Sequence, residues 1–288
     1  MSKITEALEK AARERLKQFE EKPTAPSVTV AIPFSPVNPR AIGDVPTVGE
    51  LNIDPHVVSI TASKSPIAEQ YRMLKANFQS QRSHGNLKTI VVTSAMNEEG
   101  KSITSLNLAL TLARDEQLKV VLVDADMRKS SINQWMGIKE TQTGLSTILR
   151  DGGALNGSLM KLQSPALTIL PAGPMPEDPI ALLESAGMKR LLASLKAQFD
   201  LVIIDAPPVL PVADPGILGA QADGTILVVR AGRTQRRMVV QAQNRLHQMK
   251  VDIIGCVLTH VDQPAGGYYY YHAHNRQKSD GIDASTTN

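Results

Sequence analysis

Along most of the chain, short apolar runs alternate with longer stretches in which apolar residues recur every three or four positions. The runs are IVV at 90–92, VVLVD within 120–128, Leu167–Leu170, LVIID within 201–208, TILVV within 225–232 and IIGCVL within 252–262. They are aliphatic or β-branched almost throughout, without polar alternation, so they read as strands buried on both faces of a sheet. Helical spacing fills the intervals. Leu106, Leu108, Leu110 and Leu112 lie among alanines after the first run, and residues 180–198 and 235–249 read as two further helices. A fourth spans 66–82, starting after Ser65 with Pro66 in its first turn. Ile67, Tyr71, Leu74 and Phe78 form its apolar face, while Glu69, Arg72 and Lys75 make a polar line at spacings of three. Repeated β–α units predict an α/β domain over 54–265, a three-layer α/β/α sandwich around a mostly parallel sheet.

Both ends depart from this pattern. Residues 1–22 carry Ile4, Leu8, Ala12, Leu16 and Phe19 on one stripe, an amphipathic helix for partner docking or self-association, or a solvated one. Residues 23–53 read as an extended linker, with six prolines between 23 and 46. The last segment, 266–288, reads as a loose tail holding four of the five tyrosines, Tyr268, Tyr269, Tyr270 and Tyr271. Four adjacent tyrosines cannot all face one core, which leaves a partner-binding aromatic patch or a phosphoacceptor cluster. His272 and His274 lack a third ligand nearby and are not read as a metal site. A formal charge of +3 is too small at 288 residues to argue for nucleic acid. The single Cys256 excludes a disulfide within the chain and, in its apolar run, reads as a core residue. With a charged start and no apolar stretch of ~18 residues, the expectation is a soluble, cytoplasmic protein.

The chemistry-bearing stretch joins the first strand to the first leucine-rich helix. AMNEEGKS, residues 95–102, fits the phosphate-binding loop G-x-x-x-x-G-K-[ST] except that Ala95 replaces the first glycine. A loop entering a helix N-terminus gathers backbone N–H groups and the helix dipole at one point. The candidate nucleotide-binding residues are Ala95, Met96, Asn97, Glu98, Glu99, Gly100, Lys101, Ser102 and Ile103. Lys101 suits the β- and γ-phosphates and the Ser102 hydroxyl suits Mg²⁺. Asp124, Asp126 and Arg128 follow the second run. Two alternating aspartates cannot face one way in a strand, so they belong where the strand runs out, at the ligand-binding edge of an open parallel sheet. Asp205 closes another buried run, as the Mg²⁺-side aspartate of a phosphate loop does. The fold is therefore expected to be P-loop NTPase-like, with ATP and Mg²⁺ as ligands.

Residues 55–271 resemble the bacterial tyrosine kinases (BY-kinases) that govern capsule and exopolysaccharide export. The resemblance rests on Ala95–Ser102, on D-x-D-x-R at Asp124, Asp126 and Arg128, on Asp205 and on the tail cluster. It also covers an E-x-x-R-x-x-R ring-contact motif, matched by Glu69, Arg72 and Lys75 with lysine in the last place. It implies autophosphorylation of Tyr268–Tyr271, with Lys101, Asp124, Asp126 and Arg128 as catalytic residues and Ser102, Asp124 and Asp205 around Mg²⁺. It further implies a ring, an octamer in the family, and a separate membrane-embedded activator, a polysaccharide co-polymerase, that recruits the protein to the inner face of the cell membrane. No nucleic acid is implied. The family loop reads P-G-E-G-K, whereas Asn97 and Glu98 stand in its first two places here, which predicts weaker phosphate binding. Lys75 lacks the guanidinium fork, which predicts a weaker ring. Thr259 stands where related ATPases carry an asparagine near the base.

Two other functions compete. A partitioning or positioning ATPase of the same superfamily carries an extra lysine five residues before the invariant one, where this chain has Met96. A non-catalytic nucleotide-binding scaffold of an export complex is the second, and Glu98 is its main support. Neither gives the tyrosine tail a role as a phosphoacceptor.

Overall fold

The computed structural model describes residues 51–261, except 86, 116, 117, 140, 154 and 164. The N-terminal helix, nearly all of the proline-rich linker, and the tail with Tyr268–Tyr271 lie outside the described residues.

The elements run α1 Val58–Thr61, α2 Pro66–His84, β1 Thr89–Ser94, α3 Lys101–Leu112, β2 Val120–Asp124, α4 Ile132–Met136 and α5 Leu145–Asp151. They continue with β3 Met160–Lys161, β4 Leu167–Leu170, α6 Pro179–Glu184, α7 Ala186–Gln198 and β5 Leu201–Asp205. The last are α8 Asp214–Gly219, β6 Gly224–Arg230, α9 Arg236–Gln248 and β7 Ile253–Thr259. The seven strands form one sheet in the order β3-β4-β2-β5-β1-β6-β7. All pairings are parallel except that of β3 with β4.

The two faces of the sheet separate cleanly. Ile90, Val92, Leu122, Ile203 and Val228 pack under α2, α3 and α4 through Phe78, Leu106, Leu110 and Ile132. Val91, Val121, Val123, Val202 and Ile204 pack against α5 to α8 through Leu145, Leu183, Leu192, Leu195 and Leu218. Helix α9 covers Leu227 and Val229 through Ala242 and Leu246. Coverage on both faces is why β1, β2 and β5 are buried at every position and show no alternation.

Ser65 caps α2 by accepting from the Ala68 amide at 3.1 Å, with Pro66 beside it, as the sequence predicts. The predicted helix over 180–198 is two helices. Ser185, extended at φ −64° and ψ 154°, ends α6 and caps α7, its hydroxyl accepting from the Met188 amide. That side-chain bond offers the backbone an alternative to continuing the turn. Ile67, predicted on the apolar face of α2, is 55 % exposed, and only from Tyr71 onward does the stripe meet the core. Cys256, predicted buried, is exposed, because β7 is the edge strand.

Strand order matters for function. β5 lies between β1 and β2, so the connections leaving β1 and β5 depart in opposite directions across the sheet. The crevice between their C-terminal ends is where an open α/β sheet binds ligands.

Candidate active site

Strand β1 delivers the chain into Ala95–Gly100, and α3 begins at Lys101. Gly100 sits at φ +88°, and a Cβ there would lie 3.3 Å from the Thr259 methyl, so glycine is required both for backbone conformation and for space. Glu99 is 3 % exposed. One carboxylate oxygen accepts the Met96 amide at 3.1 Å and the other bonds the Thr234 hydroxyl. The Thr259 hydroxyl donates to the Glu99 carbonyl at 2.7 Å. The loop is thereby tied to β7 and to the β6–α9 turn. The Met96 N–H is spent within the loop, so that residue contributes spacing rather than a free donor. Ala95 is fully buried, packed with Val209 and Leu227 rather than opening space as a glycine does. Asn97 is exposed and Ile103 half-buried against the core.

Glu98 occupies the left-handed region at φ 63°, a conformation that costs a non-glycine residue about 1–2 kcal/mol. Its carbonyl accepts from Arg230 at 3.3 Å and its carboxylate pairs with Arg233 at 3.0 Å. The negative charge expected beside the phosphates is matched by a cation. Both side chains are more than half exposed, so the pair adds little stability. Arg233→Ala, which leaves the Glu98 charge uncompensated, is expected to raise the KM for ATP roughly two- to fivefold, more at low salt. Titrating initial rates against ATP at two ionic strengths checks this.

Beneath the loop, Lys101 and three aspartates converge. Lys101 Nζ lies 2.7 Å from Asp126 Oδ2, 3.0 Å from Ser102 Oγ and 3.6 Å from Asp205 Oδ2. Burial disfavours its charge, but Asp205 and Asp126 more than offset that and raise its pKa, so it stays cationic. Asp124 and Asp205 are direct cross-strand partners at the ends of β2 and β5, both fully buried. Asp124 accepts from the Ser130 hydroxyl at 2.9 Å and from the Ile132 amide at 3.3 Å. Asp205 Oδ1 accepts from Ser105 at 2.9 Å. Asp126, at the turn beyond β2, accepts from the Lys129 amide at 3.0 Å.

Burial, then the neighbouring Asp205 charge, lifts the Asp124 carboxyl to about 7; burial likewise raises Asp205. A carboxyl that keeps its proton to about 7 when folded, against 3.8 otherwise, makes the folded state bind more protons between those values. Stability without ligand therefore falls as pH rises through that window. Asp124→Asn should raise the melting temperature of the nucleotide-free protein more at pH ~8 than at pH ~5; paired thermal melts read this out.

The donor set fits Mg²⁺. Asp205 Oδ2 is buried without a hydrogen-bond partner, Asp124 lies beside it in register, and the Ser102 hydroxyl shares the Lys101 cluster. Among the described residues no group of three or more His, Cys, Asp or Glu forms a ready metal cage.

The remaining expected residues lie elsewhere. Arg128, close enough to Asp126 to feel its charge, bonds across to α8. Its guanidinium grips Asp214 of α8 through Nε at 3.0 Å and Nη2 at 3.2 Å, and Asp214 is fully buried. Asp214 had no motif to reveal it; only the topology brings α8 under the loop after β2. Glu69 and Arg72 pair with each other on α2, Arg72 Nη1 also donating to the Ser63 carbonyl at 2.8 Å. Lys75 lies on the same helix, one turn further on.

Residues 87–250 match the AAA domain family. The chain is 35% identical to the tyrosine-protein kinase YwqD of Bacillus subtilis over 203 residues, 70% of this chain and 85% of that protein. It is 32% identical to the tyrosine-protein kinase CpsD of Streptococcus agalactiae over 203 residues, 70% of this chain and 87% of that one. The kinase domain of the Escherichia coli tyrosine kinase ETK superposes with a TM-score of 0.67 at 25% identity, covering 72% of this chain and 82% of that domain.

Proposed function

The chain belongs to the bacterial tyrosine-protein kinases, and from that premise we propose that it transfers the γ-phosphoryl group of ATP to its own Tyr268–Tyr271. The observation that carries this reading is the meeting of Lys101, Asp126 and Asp205 at the mouth of the β1–β5 crevice, with Lys101 Nζ 2.7 Å from Asp126. It is a protein-tyrosine kinase with a P-loop fold.

Lys101 and the loop amides hold the β- and γ-phosphates. Ser102, Asp124 and Asp205 would hold Mg²⁺, directly or through water, and the ion would supply positive charge against the phosphate oxygens. A tyrosine oxygen attacks the γ-phosphorus, a new O–P bond forms, the bridging β–γ bond breaks and ADP departs. The phenolic proton passes to Asp126, whose carboxylate is oriented by the Lys129 amide. A loose transition state asks little of that base, even against a phenol of pKa about 10. Arg128 positions this loop through Asp214. Before ligand arrives, Asp126 and Asp205 occupy Lys101, so nucleotide binding trades lysine–carboxylate contacts for lysine–phosphate ones.

Within a polysaccharide export system, the polar line Glu69, Arg72 and Lys75 serves a ring of subunits, and a membrane-embedded partner recruits and activates the kinase. Among the described residues no helix is long and apolar enough to cross a membrane. Each phosphate adds roughly −1.5 to −2 charges. Four on every tail, within a few Debye lengths of ~8 Å, drive subunits apart. Light scattering tests the switch: phosphorylated protein is expected to be less oligomeric than a Lys101→Met variant, and equal size would refute it.

Incubation with ATP and Mg²⁺ separates the readings. Phosphotyrosine in the tail supports the autokinase; bulk hydrolysis without it supports a positioning ATPase; neither, with the membrane activator also supplied, supports a scaffold.

A further inference from the structure

Among the described residues, strand β7 is an uncovered sheet edge of seven residues, Ile253–Thr259, without a charge or a proline. Natural edges of that length are normally blunted or covered, because their unpaired peptide groups invite another strand. The Ala231 amide donates to the Thr259 carbonyl at 2.9 Å, so the peptide groups of Thr259 and Val257 turn toward β6. By strand alternation those of Cys256 and Leu258 turn outward.

Both faces beside this edge offer apolar surface. On one, a cavity of about 180 Å³ opens between α2 and the sheet, where Leu74, Phe78, Ile254, Cys256 and Val257 line it together with the polar Asn77 and Gln81 of α2. On the other, Leu258 is 61 % exposed.

We propose that the chain's own unmodified Tyr268–His272 segment adds to this edge as an antiparallel strand. The described residues end at Val261, immediately beyond β7, so the tail starts at the strand it would cover. Asp262–Gly267, with Pro264, Gly266 and Gly267, supplies a six-residue reversal. Tyrosine is a strong strand former. Alternation then sets two tyrosines over the α2 cavity and two beside Leu258, which gives a tetrad of adjacent tyrosines a use on both faces. Carbonyl and amide groups of Cys256 and Leu258 pair with the returning backbone. A phosphotyrosine carries roughly two negative charges into this apolar seam and is expelled. The edge thus stores tails that await modification.

Docking does not depend on the phosphotransfer reading, so the test uses full-length, phosphatase-treated protein without nucleotide. Hydrogen exchange at the Cys256 and Leu258 amides is compared with a full-length Tyr269→Pro/Tyr271→Pro variant. Exchange about tenfold faster in that variant is expected, equivalent to a docking free energy of about 1.4 kcal/mol. Reciprocally, Leu258→Lys, on an exposed position, should speed chymotryptic cleavage at the tyrosine cluster by a similar factor. Unchanged exchange together with unchanged cleavage overturns the proposal. So does edge protection that rises with protein concentration, which would assign the edge to a second copy. Failure to find phosphotyrosine with ATP would leave these readouts unaffected.

Discussion

Lys101→Met is expected to lower phosphotransfer by a factor of about 10³ or more and, at the same time, to destabilise the nucleotide-free protein. The first effect follows from loss of the cation that meets charge on the transferring group. The second follows from what remains. Asp126 and Asp205 keep their buried carboxylates but lose the ammonium lying 2.7 and 3.6 Å away. Removing one partner of a buried pair costs about 3–5 kcal/mol when the other stays charged. Asp205, whose burial already favours the protonated form, can escape part of this by taking up a proton, so the loss should shrink at low pH. Chemical denaturation of wild type and variant at pH ~5 and pH ~8 measures it; equal stability at both would show that the lysine is not paired in solution.

Asp205→Asn should also lower activity, by a factor of about 10²–10³, yet move stability the other way. Asparagine removes a like charge from the buried neighbour of Asp124, which is one reason that carboxyl is lifted to about 7. Its amide oxygen can still accept from Ser105, and Lys101 keeps Asp126. At pH ~8, where the carboxylates are most strongly ionised, the melting temperature is expected at or above that of wild type. Two inactive variants with opposite stability shifts identify a site whose charges oppose folding and serve chemistry. A fall in stability for Asp205→Asn would instead make the aspartate a structural member of the core.

Much of this site is legible in the sequence alone. Gly100, Lys101 and Ser102 announce themselves because the loop's chemistry demands those residue types at fixed spacing. Asp124 and Asp205 were legible because a carboxylate at the end of an apolar run has no folding reason to be there. What stayed hidden depends on long-range geometry. Nothing local says that Arg128 will grip Asp214, 86 positions away, or that Arg233 will answer Glu98. By its place in the chain Thr259 suggests a position near the base, whereas its hydroxyl holds the Glu99 carbonyl. Strand order decided the fate of Cys256: its apolar neighbours suit a buried strand, but β7 lies at the edge. The short helices α1, α4, α5 and α8 are too brief for periodicity to register. The division at Ser185 turns on one hydroxyl's choice of partner.

The central claim is that this kinase modifies its own terminal tyrosines. Intact mass measurement tests it most directly, on wild type and on a variant with Tyr268, Tyr269, Tyr270 and Tyr271 all changed to phenylalanine, each incubated with ATP and Mg²⁺. Wild type should gain one to four phosphoryl increments, assigned to those positions by fragmentation, and the variant none. Equal gains in both proteins, or none in wild type supplied with its activator, would contradict the account.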